Sequence, residues 1–152
     1  MSPHIRLAGR DDADAIGRLL YAFNREFDEP APEPAALAER MRQLLDGGDT
    51  LVVLAGDGPD GLAVLRFRAA IWSAGLESYL AELYVIPARR GRGLGRQLME
   101  AALREASDRG ADSMDIGVDE PDRAARRLYE SLGFTNRSGG DGPLMYVYER
   151  EL

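Results

Sequence analysis

Cysteine is absent from this chain of 152 residues. That removes disulfides, thiolate nucleophiles and Cys-ligated zinc or iron–sulfur centres together. Lysine is absent too. All 19 basic residues are arginine, which excludes Schiff-base chemistry and the lysine of a Walker nucleotide loop. A single histidine, His4, reads as an N-terminal strand residue, so neither a Ser-His-Asp triad nor a bound metal is expected. No apolar run approaches the roughly 18 residues of a membrane span. No charged segment followed by an apolar core opens the chain, so a cytoplasmic protein without membrane contact is expected. What is present, 45% hydrophobic residues, suffices for one domain, residues 1–152, burying about two-thirds of its unfolded surface. A net charge of −7 argues against nucleic acid as a partner, because the electrostatic attraction that dominates such binding is missing. Yet Arg89, Arg90, Arg92 and Arg96 crowd into one short stretch. Locally, that is a place for an anion.

No repeat or low-complexity tract interrupts the pattern. His4-Ile5-Arg6-Leu7-Ala8 alternates as a short strand, and Asp11-Asp12 suits the start of a helix. Ile16, Leu19, Leu20, Phe23 and Phe27 recur at helical spacing, until Pro30, Pro32 and Pro34 forbid continuation. Leu37, Met41, Leu44 and Leu45 mark a second helix stopped by Gly47-Gly48. Strands are predicted over Leu51–Ala55, Leu62–Trp72 and Tyr79–Ile86, the first two joined by a turn from Gly56 to Gly61. Leu98, Met99, Ala102, Leu103 and Ala106 predict a helix from Gly95 to Gly110. Met114–Val118 reads as a strand, and a helix runs from Pro121 to Leu132 with Gly133 as terminator. Closing strands are expected around Phe134 and over Leu144–Tyr148. The order β-α-α-β-β-β-α-β-α-β-β predicts an α/β (α+β) domain, a mixed sheet with helices on both faces.

The stretch from Leu83 to Arg96 is the most informative. A strand ends at Pro87, a glycine-spaced turn follows, and a helix begins inside it. Backbone N–H groups converge there with no Cβ in the way, the helix start adds about half a positive charge, and arginines offer bidentate geometry for phosphate. A pyrophosphate-like anion is the expected ligand. Gly91, Gly93 and Gly95 do not form the dinucleotide fingerprint, since position 96 is Arg96, nor a Walker loop. Glycine spacing alone is also met in plain strand–helix turns.

These residues resemble the GCN5-related N-acetyltransferase (GNAT) superfamily. Arg90-Gly91-Arg92-Gly93-Leu94-Gly95 is similar to its [Q/R]-x-x-G-x-[G/A] pyrophosphate loop, and Leu83-x-Val85-x-Pro87 to the strand before it. A second block, Asp122-x-x-Ala125-x-x-Leu128-Tyr129-x-x-x-Gly133-Phe134, resembles the family's N-x-x-A-x-x-[L/F]-Y-x-x-x-G-F. The likeness covers mainly residues 79–134. It implies a mostly antiparallel sheet of six to seven strands and an enzyme that takes acetyl from acetyl-CoA. It also implies that Leu83, Tyr84 and Val85 pair with the pantetheine arm, with the Val85 N–H polarising the thioester carbonyl. Residues Arg90, Gly91, Arg92, Gly93, Leu94, Gly95 and Arg96 would hold the pyrophosphate, and Tyr129 would protonate the departing thiolate. Two departures stand out. Asp122 replaces the usual Asn and accepts hydrogen bonds without donating. Gly117 stands where amino-terminal protein acetylases often carry a carboxylate, which weighs against that activity. Homodimers, with Leu144–Tyr148 contributing, are also implied.

Direct transfer needs a free amine and hence a base. Glu82 sits in an otherwise apolar strand, three residues before Val85, and apolar surroundings raise a carboxyl pKa toward neutrality. Small-molecule amine acetylases of the family often have an acid there. Asn24, Glu26, Asp28, Glu29 and Glu33 cluster between the first two helices, which in the family form one wall of the acceptor cleft. Such a cluster either attracts a cationic amine or is a solvated, proline-stiffened loop. Tyr21, Trp72 and Tyr84 are available as cleft walls or as core. The expected reaction is N-acetylation of a small cationic amine, of polyamine, aminoglycoside or amino-acid type. Protein acetylation and a silent CoA-binding sensor are the alternatives.

Overall fold

Apolar periodicity and proline stops govern the chain as far as residue 131, in a computed structural model that describes residues 4–57 and 59–152. Gly58, inside the turn predicted from Gly56 to Gly61, lies outside the described residues. Strand β1 (Ile5–Leu7) leads to helix α1 (Ala13–Glu26) and then α2 (Pro34–Asp46). The first helix follows its stripe through Phe23 but stops before Phe27, which is left exposed. Asp12 does not cap α1 with its side chain. Its carboxylate instead accepts hydrogen bonds from the Arg6 guanidinium at 2.8 and 2.9 Å and from the Gly9 N–H at 2.8 Å. Pro34 opens α2, at the position where a missing N–H is harmless.

Strands β2 (Thr50–Ala55), β3 (Gly61–Ala69), β4 (Leu76–Val85) and β5 (Ala111–Ile116) complete a five-stranded sheet in the order β1-β2-β3-β4-β5. The first three junctions are antiparallel. β4 and β5 pair in parallel, and helix α3 (Leu94–Asp108) makes the crossover. Every residue of β2 is buried, as in a strand covered on both faces. Val52, Leu54, Leu62, Val64 and Tyr84 pack with Ile16, Leu19 and Met41 from α1 and α2. The alternate residues Leu51, Val53, Ala63 and Leu65 turn to the opposite face, where α3 buries Leu98, Met99 and Ala102.

The chain forms two compact units, the second running from Gly117 to Leu152. Helix α4 (Arg123–Ser131) begins later than Pro121, because the Asp122 carboxylate accepts the Ala125 N–H at 3.1 Å and so fixes the start. Gly133, with φ of 93°, follows its end.

Among the described residues the sheet therefore has five strands, not six to seven, and α4 is followed only by a short 3-10 turn at Ser138–Gly140. Among the described residues, the closing strands around Phe134 and over Leu144–Tyr148 are not formed. One isolated antiparallel bridge joins Arg137 to Leu144, next to a Met145 N–H bond to the Asn136 carbonyl at 2.7 Å. The connection between them holds Gly139, Gly140 and Gly142, the first two at positive φ, and Pro143 has no N–H to give a ladder. A lone hairpin so joined gains too little to extend. Two further boundaries move. β3 ends at Ala69, leaving Trp72 95% exposed in the turn. β5 starts at Ala111, where its register with Leu76 begins, and ends before Val118. No helix among the described residues is long and apolar enough to cross a membrane.

Candidate active site

The β4–α3 turn is shaped by two glycines in left-handed conformation. Gly91 has φ of 77° and Gly93 80°, and no atom lies within 4 Å of where a Cβ would stand on either. Gly93 is the N-cap of α3 and offers no side chain to the helix start. The first intrahelical bond from this end runs from the Gln97 N–H to the Gly93 carbonyl at 3.1 Å. The N–H groups of Leu94, Gly95 and Arg96 therefore precede the helical ladder and aim out of the helix end, an arrangement suited to an anion. The arginines divide. Arg89 faces Asp60 at 3.5 Å, Arg90 is held by Glu26 at 2.7 Å, and Arg92 stands exposed.

Beside this turn the sheet opens. Pairing of β4 with β5 ends at Leu80 and Ile116, while β4 continues to Val85. The Ile86 N–H donates to the Asp60 carbonyl at 2.9 Å, on the β3 side. Backbone groups alternate sides along a strand, so the N–H and C=O of Val85, and those of Leu83, face the notch where β5 has ended.

A β-bulge decides which side chains border that notch. Val64 pairs with Glu82 but Leu65 pairs with Leu80, leaving Ala81 as the extra residue. Cross-strand partners share a face. Leu80 thus points with Leu65 toward α3, whereas Glu82 and Tyr84 point with Val64 and Leu62 toward α1 and α2. Without the bulge Glu82 would follow Leu80 to the wrong side. Glu82 has no hydrogen-bond or ionic partner among the described residues. Its side chain meets solvent on one side, yet burial still pushes its carboxyl above the usual glutamate range.

Facing it, Glu26 at the end of α1 is already engaged. Its Oε1 accepts the Tyr84 hydroxyl at 2.9 Å and Arg90 Nη2 at 2.7 Å, while Arg90 Nε donates to the Val85 carbonyl at 3.0 Å. The Tyr84 ring stacks on Phe23 with centroids 4.8 Å apart. Burial, reinforced by Glu26, raises the Tyr84 hydroxyl above its ordinary value. Asn24 serves the chain itself, its Nδ2 donating to the Pro30 carbonyl at 3.0 Å across the helix connection. Asp28, at positive φ, and Glu29 and Glu33 are exposed. Tyr21 is half-buried. Sequence reasoning missed both the bulge and the Glu26–Arg90–Tyr84 cluster. The bulge had a signal, since apolar residues recur three apart at Leu80 and Leu83 where strand alternation demands two. Nothing in the linear pattern joins Glu26 to Arg90.

Within the second unit, Tyr129 lies on α4 with its ring edge toward Phe134, centroids 6.0 Å apart. Its hydroxyl is pushed up to about 12, first by desolvation and then by the Asp122 charge. A phenol so tuned stays protonated at neutral pH and so carries a proton to donate. Asp122, as helix cap, does what an Asn does equally well there.

Comparison with known proteins settles the family. Residues 16–134 match the Acetyltransferase (GNAT) family. The chain belongs to the GNAT family. A solved acetyltransferase structure from Arthrobacter sp. FB24 is 45% identical, with a TM-score of 0.89, covering 98% of this chain and 96% of that one. A mycothiol acetyltransferase of Thermobispora bispora is 39% identical over 121 residues, 76% of this chain but 35% of that protein. This GNAT chain thus spans about a third of the length of that relative. The uncharacterized N-acetyltransferase YhfO of Bacillus subtilis is 26% identical over 138 residues, 90% of this chain and 92% of its own. An aminoglycoside acetyltransferase from a soil metagenome, solved with sisomicin, is 17% identical at a TM-score of 0.79 and covers 97% of its own length; it shares the fold.

Proposed function

We propose that this GNAT chain transfers acetyl from acetyl-CoA to the primary amine of a small cationic molecule, with residues 1–152 acting as one domain. The observation that carries the reading is the notch. An unpartnered carboxylate, Glu82, borders a strand edge whose Val85 N–H is turned outward, next to a glycine turn built for an anion. Acetyl-CoA fits these features: its diphosphate suits the uncapped start of α3 and its arm suits the free edge of β4. When bound, it supplies an activated acetyl thioester. The chain's own residues do the rest. The Val85 N–H polarises the thioester carbonyl, Glu82 takes the proton that the acceptor ammonium must lose before its free amine attacks, and Tyr129 delivers one to the departing sulfur. The acidic residues Glu26, Asp28 and Glu29, with Asn24 behind them, would draw the cationic acceptor. The names of the mycothiol and aminoglycoside relatives support a small-molecule acceptor over a protein. We place this work in the cytoplasm, and the exposed run Leu144–Tyr148 supports a homodimer.

The test is thiol release from acetyl-CoA by the full chain, measured against a panel of polyamines, aminoglycosides, amino acids and amino-sugar conjugates, with basic peptides as a separate arm. Release with one small-amine class supports the proposal. Release only with peptides, or with none, contradicts it.

A further inference from the structure

We infer that Glu26 and the diphosphate of acetyl-CoA are alternative partners of Arg90, so that loading the cofactor uncovers the acidic group that receives the acceptor. The inference rests on the proposed function and concerns how its two ligands are coupled. Arg90 begins the anion-binding turn, yet its guanidinium is spent on protein groups: Nε on the Val85 carbonyl at 3.0 Å and Nη2 on Glu26 at 2.7 Å. Both acceptors lie at the rim of the notch, and the guanidinium also covers the Tyr84 ring, 5.7 Å from its centroid. A carboxylate here occupies the cation that the glycine turn would offer a diphosphate. The diphosphate carries more charge and adds the N–H groups of the helix start, so it outcompetes one carboxylate for Arg90.

Glu26 does not move away with its partner. The Tyr84 hydroxyl holds the same Oε1 at 2.9 Å, and that ring is itself buried and stacked on Phe23. Losing Arg90 therefore leaves Glu26 in place, its side chain 26% exposed, with its negative charge no longer matched. A cation is then favoured at that position, and the acceptor ammonium is the cation that arrives. By linkage, an ammonium on Glu26 frees Arg90 for the diphosphate to the same degree. Glu26 is a positioning residue for the cofactor and a specificity residue for the acceptor.

The experiment titrates coenzyme A alone into the full chain by calorimetry, for wild type, Glu26→Gln, Arg90→Gln and the double variant, with thermal unfolding of each to confirm folding. Glu26→Gln is expected to bind coenzyme A about two- to fivefold more tightly, the range of an exposed ion pair. Arg90→Gln binds more weakly, and in that background Glu26→Gln gives no gain. Unchanged or weaker binding by Glu26→Gln overturns the inference, since Glu26 would then only brace Arg90. A gain that persists without Arg90 also overturns it, because removal of a general repulsion explains it. Wild type that binds no coenzyme A fails the proposed function itself, which separates the two.

Discussion

Glu82, the proposed base, links rate to stability in a single side chain. Its carboxyl value in the fold lies above that in the unfolded chain, because burial penalises the ionised form and no cation offsets it. The stability associated with Glu82 is fully present below the unfolded carboxylate value, about 4.3, and is lost as pH rises through the raised folded value. Above that raised value the carboxylate is kept ionised at the expense of the fold. Glu82→Gln removes that penalty and the base together. The expected outcome is a Tm equal to or above wild type at pH 7, with kcat/KM lower by about a hundredfold or more. The acid limb of the wild-type pH–rate profile should lie above the ordinary glutamate range and disappear in the variant. A rate within threefold of wild type would remove Glu82 from the chemistry. Its residue type and apolar neighbours were legible in the sequence. Its orientation was not, because one extra residue at Ala81 fixes the face.

Among the elements, the pair α1 and α2 is held closer than any sequence rule indicates. At Gly17 a Cβ would stand 2.6 Å from the Pro34 carbonyl oxygen and 2.9 Å from the Ala38 nitrogen. Both are backbone atoms of α2 and cannot swing aside. Gly17→Ala should gain up to about 1 kcal/mol in helix propensity and lose about 1–3 kcal/mol to overpacking. Net destabilisation is expected in a denaturant titration at unchanged m, and a stabilised variant would mean that the helices part freely. The helices themselves were legible through Ile16, Leu19, Met41, Leu98 and Met99, whose spacing matches one buried face each. Asp12 was legible as part of a helix start: its carboxylate accepts the Gly9 N–H at the head of the 3-10 turn before α1, and Arg6, six residues earlier, binds it as well.

For the whole molecule, the sequence disclosed the glycine turn between β4 and α3 and the family, since both reside in short glycine and arginine spacings. It overstated the sheet. Phe134 and Leu144–Tyr148 have strand composition, but pairing depends on what lies opposite, and beyond the one bridge of Arg137 with Leu144 no ladder forms among the described residues. The central claim is that this fold is built to hold acetyl-CoA at the β4–α3 turn. Thermal denaturation of the full chain with and without acetyl-CoA tests it most directly. At a hundred times its dissociation constant, a ligand of the folded state adds about 2.7 kcal/mol, or about 5–10 °C for a chain of this size. A rise of that order is the predicted result. An unchanged Tm at millimolar acetyl-CoA would contradict the account.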